Sequence, residues 1–379
     1  MGMNSMPIVR DVCDYLKKLA PLSLAEEWDN VGLLLGDESA EVRQVMTCLT
    51  LTADVADEAV ALGAGLIVTH HPLLFKAIKQ ITSSTAEGRL LLTLLQHSIA
   101  VYSPHTAWDN SASGINQQLA ERLHLTDIAP LRPKVVPDEA KIVTFVPEPS
   151  LKTVRDALWN AGAGVIGNYR NCSFYLQGTG TFYGAESTNP SVGQSGRLEQ
   201  VEEVRLEVVC TLQHVDQALA ALRKAHPYEE PAIDVFVVKK TSNGEGAGRA
   251  GKLPNPVKLG ELNSLIAIEL GQPSVQFVGD PSSIIERIGI ACGAAGEFLT
   301  DAHRAGCQAF LTGEARFHTC LEARDLNMAM ILPGHYATER FSMDRLASRI
   351  YGNFSSLAVT SSQRESNPLG LFLAPPQPK

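Results

Sequence analysis

The apolar run Gly65-Leu66-Ile67-Val68 leads straight into Thr69-His70-His71-Pro72, and no other junction restricts the possible folds as much. The run reads as a buried strand. Side chains alternate faces along a strand, so two adjacent imidazoles cannot both enter an apolar core. Just past the strand, where the backbone turns, they can converge. Neutral imidazole is the commonest protein ligand for metals, so a histidine pair at a strand end points to metal binding. The dipeptide alone also fits an ordinary surface or core pair. The question is whether the chain supplies further ligands.

The rest of the sequence follows one rhythm. Helical spacing covers residues 8–19, 53–62, 85–97 and 114–123, and strand patterns cover 45–52, 65–69 and 99–103. Strands alternating with helices imply an α/β layer architecture. Three prolines in residues 130–137 read as a linker. The texture then changes: a strand over 141–146, a helix over 151–161, a Gly-, Ser- and Asn-rich segment over 162–197, a strand over 204–210, a helix over 215–225 and a strand over 232–238. This order suggests a ferredoxin-like α+β insert. Glycines 244, 246, 248 and 251 read as a second linker. Strands over 287–292, 308–311, 328–332 and 357–360 follow, with helices over 297–305, 315–326 and 336–351 between them. Residues 374–379 form a Pro-rich tail. The flanks look like a loose internal repeat. The expected domains are a first lobe over 1–130, an insert over 138–240 and a second lobe over 250–365.

Composition narrows the function. In 379 residues, 45% are hydrophobic and 19% charged, which supplies a sizeable core. The net charge of -9 disfavours charge-driven nucleic-acid binding, which needs clustered Lys and Arg. Seven scattered cysteines without a Cys-x-x-Cys pattern read as reduced thiols of a cytoplasmic protein. The longest apolar run, residues 59–68, is about ten residues, too short for a bilayer.

Ligand sites in open α/β sheets lie beyond the carboxyl ends of the strands. Three such ends carry coordinating side chains: His70 and His71; His105 and Asp109; His335 and Glu339. His335 and Glu339, four apart at a helix start, share a face. His70, His71, Asp109, His335 and Glu339 suffice for two ions if one carboxylate bridges, with the ions about 3.5–4 Å apart as in hydrolytic two-metal sites. Each has a plainer role available: Asp109 as cap of a helix starting near Ser111, His335 as a strand-end polar group, Glu339 on a solvated helix face. His105 and Trp108 fit packing or outer support. Glu314, Arg316 and His318 fit proton handling, phosphate contact or plain helix surface. The turn Ala291-Cys292-Gly293-Ala294-Ala295-Gly296 fits either an anion cradle or close backbone packing. Cys292 reads as a buried thiol, and His226-Pro227-Tyr228-Glu229-Glu230 as structural or interfacial.

Together, Glu26-Glu27-Trp28-Asp29-Asn30-Val31-Gly32, Thr69-His70-His71-Pro72-Leu73, His105-Thr106-x-x-Asp109 and Gly334-His335-x-x-x-Glu339 resemble the Nif-three-like dinuclear-metal family, whose members are often labelled GTP cyclohydrolase type 2 homologs. The middle segment, with Gly178-Thr179-Gly180 and Ala225-His226-Pro227-Tyr228-Glu229-Glu230, is similar to the PII/CutA-like domain inside longer members. The resemblance implies two similar α/β lobes interrupted by that insert. It also implies two divalent ions, with His71, Asp109 and Glu339 on one and His70, His335 and Glu339 on the other. A ring-shaped homohexamer is implied as well. Members usually carry Thr-Gly-Asp where this chain has Thr312-Gly313-Glu314.

Two functions follow as expectations. The first is a metal-dependent hydrolase, in the cyclohydrolase version attacking C8 of the GTP purine with metal-activated water, with His105, His318 and Glu314 as candidate catalytic groups. The mixed His and carboxylate set suits Zn, Fe, Mn or Co. The second is a non-catalytic metal-bearing ring that binds a nucleotide or protein.

Overall fold

The computed structural model describes residues 6–134, 139–238 and 244–372. The chain is a mixed α/β protein with several sheets, and it divides into two compact units: Met1–Lys134 with Ser242–Lys379, and Val135–Thr241. The Pro-rich tail and parts of both expected linkers (135–137 and 242–243) lie outside the described residues.

In the larger unit, one sheet runs in the order Gly32–Leu35, Ala100–Ser103, Leu66–Thr69, Gln44–Cys48, Ala358–Ser361. The last four strands are parallel and the first is antiparallel. The second sheet runs Gln276–Val278, Ala329–Leu332, Ala309–Thr312, Ile284–Ala291, Arg249–Lys258, Thr126–Ala129. Its second to fourth strands are parallel and its outer pairings antiparallel. Strands Leu66–Thr69 and Ala309–Thr312 are buried at every position, as parallel strands covered on both faces must be. Met46, Ile67, Val101, Val55 and Leu94 pack around the first sheet, and Ile288, Leu311, Ile331, Leu262 and Leu119 around the second. Each such side chain stabilises the fold by roughly 1.5–3 kcal/mol relative to exposure.

Each sheet takes its edge strand from the far segment of the sequence. Ala358–Ser361 joins the first sheet and Thr126–Ala129 the second. Thr126–Ala129 is short and mostly exposed, so it carries little apolar signal and the sequence pattern does not mark it.

The glycines of 244–251 do not form a loose linker. Gly246–Ala247 pairs with Arg132–Pro133, and Arg249–Lys258 is an interior strand. Gly246 (φ 139°) and Gly248 (φ 60°) occupy left-handed backbone that favours glycine. Between them and the core lies Arg249, fully buried. Its guanidinium donates to the carbonyls of Gly246 (2.7 Å), Gly248 (2.6 Å) and Ser111 (2.6 Å) and to Gln117 Oε1 (2.9 Å). Burial lowers its pKa to about 10. The segment is pinned, and its glycines serve turn geometry.

Two helices differ from expectation near the strand ends. His105–Asn110 is itself a helix, and the next, Ile115–Arg122, starts after Gly114, so Asp109 does not cap it. The expected helix over 336–351 is two, His335–Glu339 and Phe341–Asn353.

The smaller unit is an antiparallel sheet in the order Ile233–Val237, Glu139–Val146, Leu198–Thr211, Phe174–Tyr183. Helices Leu151–Asn160 and Val215–Ala225 contribute Val154, Leu158 and Leu222 to a core with Ile142 and Leu206. Phe174–Tyr183 falls within the Gly-, Ser- and Asn-rich segment. Nearly every residue on it is exposed, so it lacks the alternation that marks a half-buried strand. No helix among the described residues is long and apolar enough to cross a membrane.

Candidate metal centre

The parallel strands of both sheets end at one place in the larger unit. His70 and His71 follow Leu66–Thr69, and His105 opens the helix after Ala100–Ser103. Glu314 follows Ala309–Thr312, and His335 opens the helix after Ala329–Leu332. A helix of one turn and a half sets His335 and Glu339 on one face. Glu339 Oε2 lies 3.0 Å from His335 Nε2 and 3.1 Å from His71 Nε2, and the two imidazole nitrogens are 3.4 Å apart. On the other side, the His70 ring lies 5.2 Å from those of His71 and His105, centre to centre. His70 Nε2 is 3.6 Å from Asp109 Oδ1.

Two sets of three have donor atoms close enough to share an ion: His70, His71 and His105; and His71, His335 and Glu339. All five expected ligands are brought together with His105. His71 belongs to both sets, and Asp109 stands beside them with its Oδ1 near His70 Nε2.

Two buried atoms in this cluster, His70 Nδ1 and Asp109 Oδ1, have no hydrogen-bond partner among the described residues. Buried polar atoms without a partner are rare because each carries its full desolvation cost. Burial drives the His70 pKa well below its ordinary value, so the ring is neutral and can offer a lone pair. Burial, and then the charge of Glu339, raises the Asp109 pKa. Burial opposes the charge of Glu339, but hydrogen bonds from His335 and His71 outweigh it and hold its carboxyl far below the usual range. His335 donates to Glu339 and, through Nδ1, to Glu314 Oε1 at 3.1 Å, which raises its pKa to about 9. The neutral His70 imidazole, the charged Glu339 carboxylate and the two orphaned polar atoms fit a divalent ion.

The outer groups fix the rings of this cluster. His105 Nδ1 donates to Asp29 Oδ1 at 2.7 Å, and Asp29 Oδ2 accepts from the Thr106 amide (3.1 Å) and hydroxyl. The Asp29 side chain is fully buried. Burial works against its charge, yet the hydrogen bonds from His105 and Thr106 win and bring its pKa down to about 2. His105 itself sits at φ 30°, a left-handed conformation that costs about 1–3 kcal/mol in a non-glycine residue and is found where function demands it. A carboxylate on the far nitrogen is how metal-ligating histidines are oriented. His105 thus stands among the groups whose donor atoms lie close enough to share an ion. Asp29, within the Glu-Glu-Trp-Asp-Asn motif, is the sequence signal for that role, which strand-end patterns do not capture.

His71 Nδ1 is 2.7 Å from Thr50 Oγ1. The amides of Leu49 and Thr50 donate to Glu365 at 2.9 and 2.6 Å, and Arg340 reaches the same carboxylate at 2.9 Å. Gly293 (φ 73°) lies against Glu339, where a Cβ would come within 2.2 Å of Oε1. The turn over 291–296 is therefore a close backbone approach. Cys292 is half-buried, and burial, then the charges of Glu339 and Asp109, pushes its thiol pKa well up. All seven cysteines are free.

His318 is exposed at the start of helix Phe317–Asp325, beside the Phe317 ring, and outside both metal-competent sets. Trp108 is packing: its indole donates to Ser342 Oγ at 3.0 Å. In the smaller unit, His226 Nε2 donates to the Phe145 carbonyl and Tyr228 donates to Glu203 at 2.7 Å, a structural use of that motif.

The sequence profile described as Duf34/NIF3 (NGG1p interacting factor 3) matches residues 7–368. A Halalkalibacterium halodurans protein named GTP cyclohydrolase 1 type 2 homolog is 36% identical over 324 residues, covering 86% of this chain and 87% of that one. A Bacillus subtilis protein of the same name is 35% identical over 328 residues, with coverage of 86% and 88%. Among solved structures, a Bacillus cereus protein related to NIF3 aligns with a TM-score of 0.77 at 30% identity, covering 97% of this chain and 100% of that one.

Proposed function

Because the chain belongs to the Duf34/NIF3 (NGG1p interacting factor 3) family, we propose that its histidine and carboxylate cluster is a dinuclear divalent-metal centre and that the protein is a metal-dependent hydrolase. The observation that carries this is Glu339, whose Oε2 faces His71 and His335 at once, beside the partnerless His70 Nδ1 and Asp109 Oδ1. His71, His335 and Glu339 would hold one ion. His70, His105 and Asp109 would hold the other, with Glu339 shared between the two. Zn, Fe, Mn and Co all suit this set.

Divalent ions held there would supply Lewis acidity and water ionised near neutral pH. The protein's part is orientation. Asp29 and Thr50 each fix the far nitrogen of a ligand ring, His105 and His71, so that the other nitrogen faces the centre. Glu314 does the same for His335 from the open side, and its exposed side chain, in reach of bulk water, makes it the group for proton handling; His318 contacts only the Phe317 ring among the described residues. The relatives' name suggests GTP as substrate, with opening of the purine ring at C8 and release of formate. Incubation of metal-loaded protein with GTP tests this: formate and a ring-opened product are expected, and their absence with Zn, Fe(II), Mn and Co ends the cyclohydrolase version.

We further propose that the fold comprises two similar lobes and a ferredoxin-like, PII/CutA-like insert. The strand, helix, strand, strand, helix, strand order of Val135–Thr241 supports this. The resemblance favours a homohexameric ring, to be tested by light scattering. A second reading, a regulatory binding protein, draws on a cavity of about 820 Å³ in the smaller unit, lined by Phe145, Phe182, Glu203, Arg205 and Tyr228. Stabilisation by a nucleotide without turnover would favour it.

A further inference from the structure

Two large rings stand open at the edge of the centre. Trp28 is 63% exposed and Phe75 52%. Single exposed apolar side chains need no explanation. These two meet each other, with centroids 6.0 Å apart, and each meets the ring of His105, at 6.2 and 6.4 Å. They form an aromatic rim continuous with the His70, His71 and His105 set.

The backbone beneath both rings is anchored. Trp28 precedes Asp29, whose buried carboxylate holds His105 and Thr106. The Glu26 amide donates to Thr106 Oγ1 at 2.9 Å, and Asn30 Nδ2 donates to the Leu74 carbonyl at 2.6 Å, tying the Trp28 loop to the Phe75 loop. The rings are thus set by fixed loops yet left uncovered, as a preformed binding wall requires. Two side chains fall well short of the ~800 Å² per partner that a stable protein interface buries. Two rings suffice to meet the face and edge of one planar ring, and such contacts form irrespective of its polar substituents.

We propose that Trp28 and Phe75 are the substrate-recognition residues of the centre and select a planar heteroaromatic ring. This takes its orientation from the dinuclear-metal reading and goes beyond it by naming the residues that choose the substrate class.

The test compares the full-length, metal-loaded wild type with Trp28→Leu and Phe75→Leu, which keep apolar side chains at both sites. Guanosine is the probe, with ribose and inorganic pyrophosphate as ringless controls. Equilibrium dialysis gives affinity, and quenching of indole fluorescence in the wild type reports on Trp28, the most exposed of the three tryptophans. The expected result is guanosine binding with quenching, no such response to ribose or pyrophosphate, and affinity at least about fivefold weaker in each variant, with metal content and elution volume unchanged. Equal guanosine affinity in the variants overturns the proposal. So does an absence of guanosine binding to the wild type, or a change in the variants confined to elution volume, which would assign the rings to a contact between copies of the chain. Metal content is read separately. A wild type that takes up no metal sinks the dinuclear reading, while dependence of guanosine binding on Trp28 and Phe75 is still decided by the same titration.

Discussion

His105 and His335 face the same centre and are each held by a carboxylate on Nδ1, but in opposite surroundings. The Asp29 side chain, behind His105, is fully buried and also binds Thr106. Glu314, behind His335, has a side chain 56% exposed and no further partner among the described residues. The His105 side is set in advance of any ligand, at the expense of a left-handed backbone. The His335 side can adjust, because water competes for Glu314 at little cost. A centre built this way has one rigid wall and one compliant one.

The largest effect that would break this contrast is Asp29→Ala. It leaves the buried Thr106 amide and His105 Nδ1 without an acceptor, so unfolding in urea should show a loss of about 3 kcal/mol. A loss below about 0.5 kcal/mol would mean the His105 wall is not rigid. Next is Glu365→Ala, which frees the Leu49 and Thr50 amides and Arg340. A loss of about 2 kcal/mol is expected, with weaker metal uptake through His71, measured by competition with a chelator.

A pH comparison separates the two walls by sign. The Asp29 pKa is depressed to about 2 in the folded protein. Its stabilising contribution, about 2 kcal/mol, is therefore complete above pH ~4 and fades as pH falls towards 2. The gap between wild type and Asp29→Asn should close over that window. The His335 pKa is raised to about 9 by Glu339 and then Glu314. In metal-stripped protein its contribution is complete below pH ~6.5 and fades as pH rises to about 9. Denaturation at stepped pH checks both, and a shared direction would refute the distinction. The smallest effect belongs to Glu314→Gln, which should cost less than about 1 kcal/mol and lower metal affinity less than Asp29→Asn does. The reverse order would move the rigid wall to His335.

What sequence alone can reveal follows the same division. His70, His71, Asp109, His335 and Glu339 stand at strand ends or one helical turn further on, so alternation and helical spacing make them visible in the chain itself. The parallel strands are legible because they are continuously apolar. Asp29 and Glu365 lie in loops that no periodicity marks, Thr50 stands past a strand that ends at Cys48 and not at 52 as its pattern suggests, and Glu365 reaches Thr50 across 315 residues of sequence. The proline before His105 hides the helical start there, and the inner position of His105 follows only once Asp29 is seen behind it. The strands Phe174–Tyr183 and Thr126–Ala129 escape notice because exposed strands carry no apolar period. The glycines near Arg249 read as slack because a buried guanidinium leaves no trace in composition.

The central claim is that two ions share Glu339. Elemental analysis of purified protein beside a His70→Ala, Glu339→Ala double variant tests it most directly. Close to two equivalents of transition metal per chain are expected in the wild type, lost in the variant. No metal as purified, and none taken up on adding Zn, Mn or Fe(II), would contradict it.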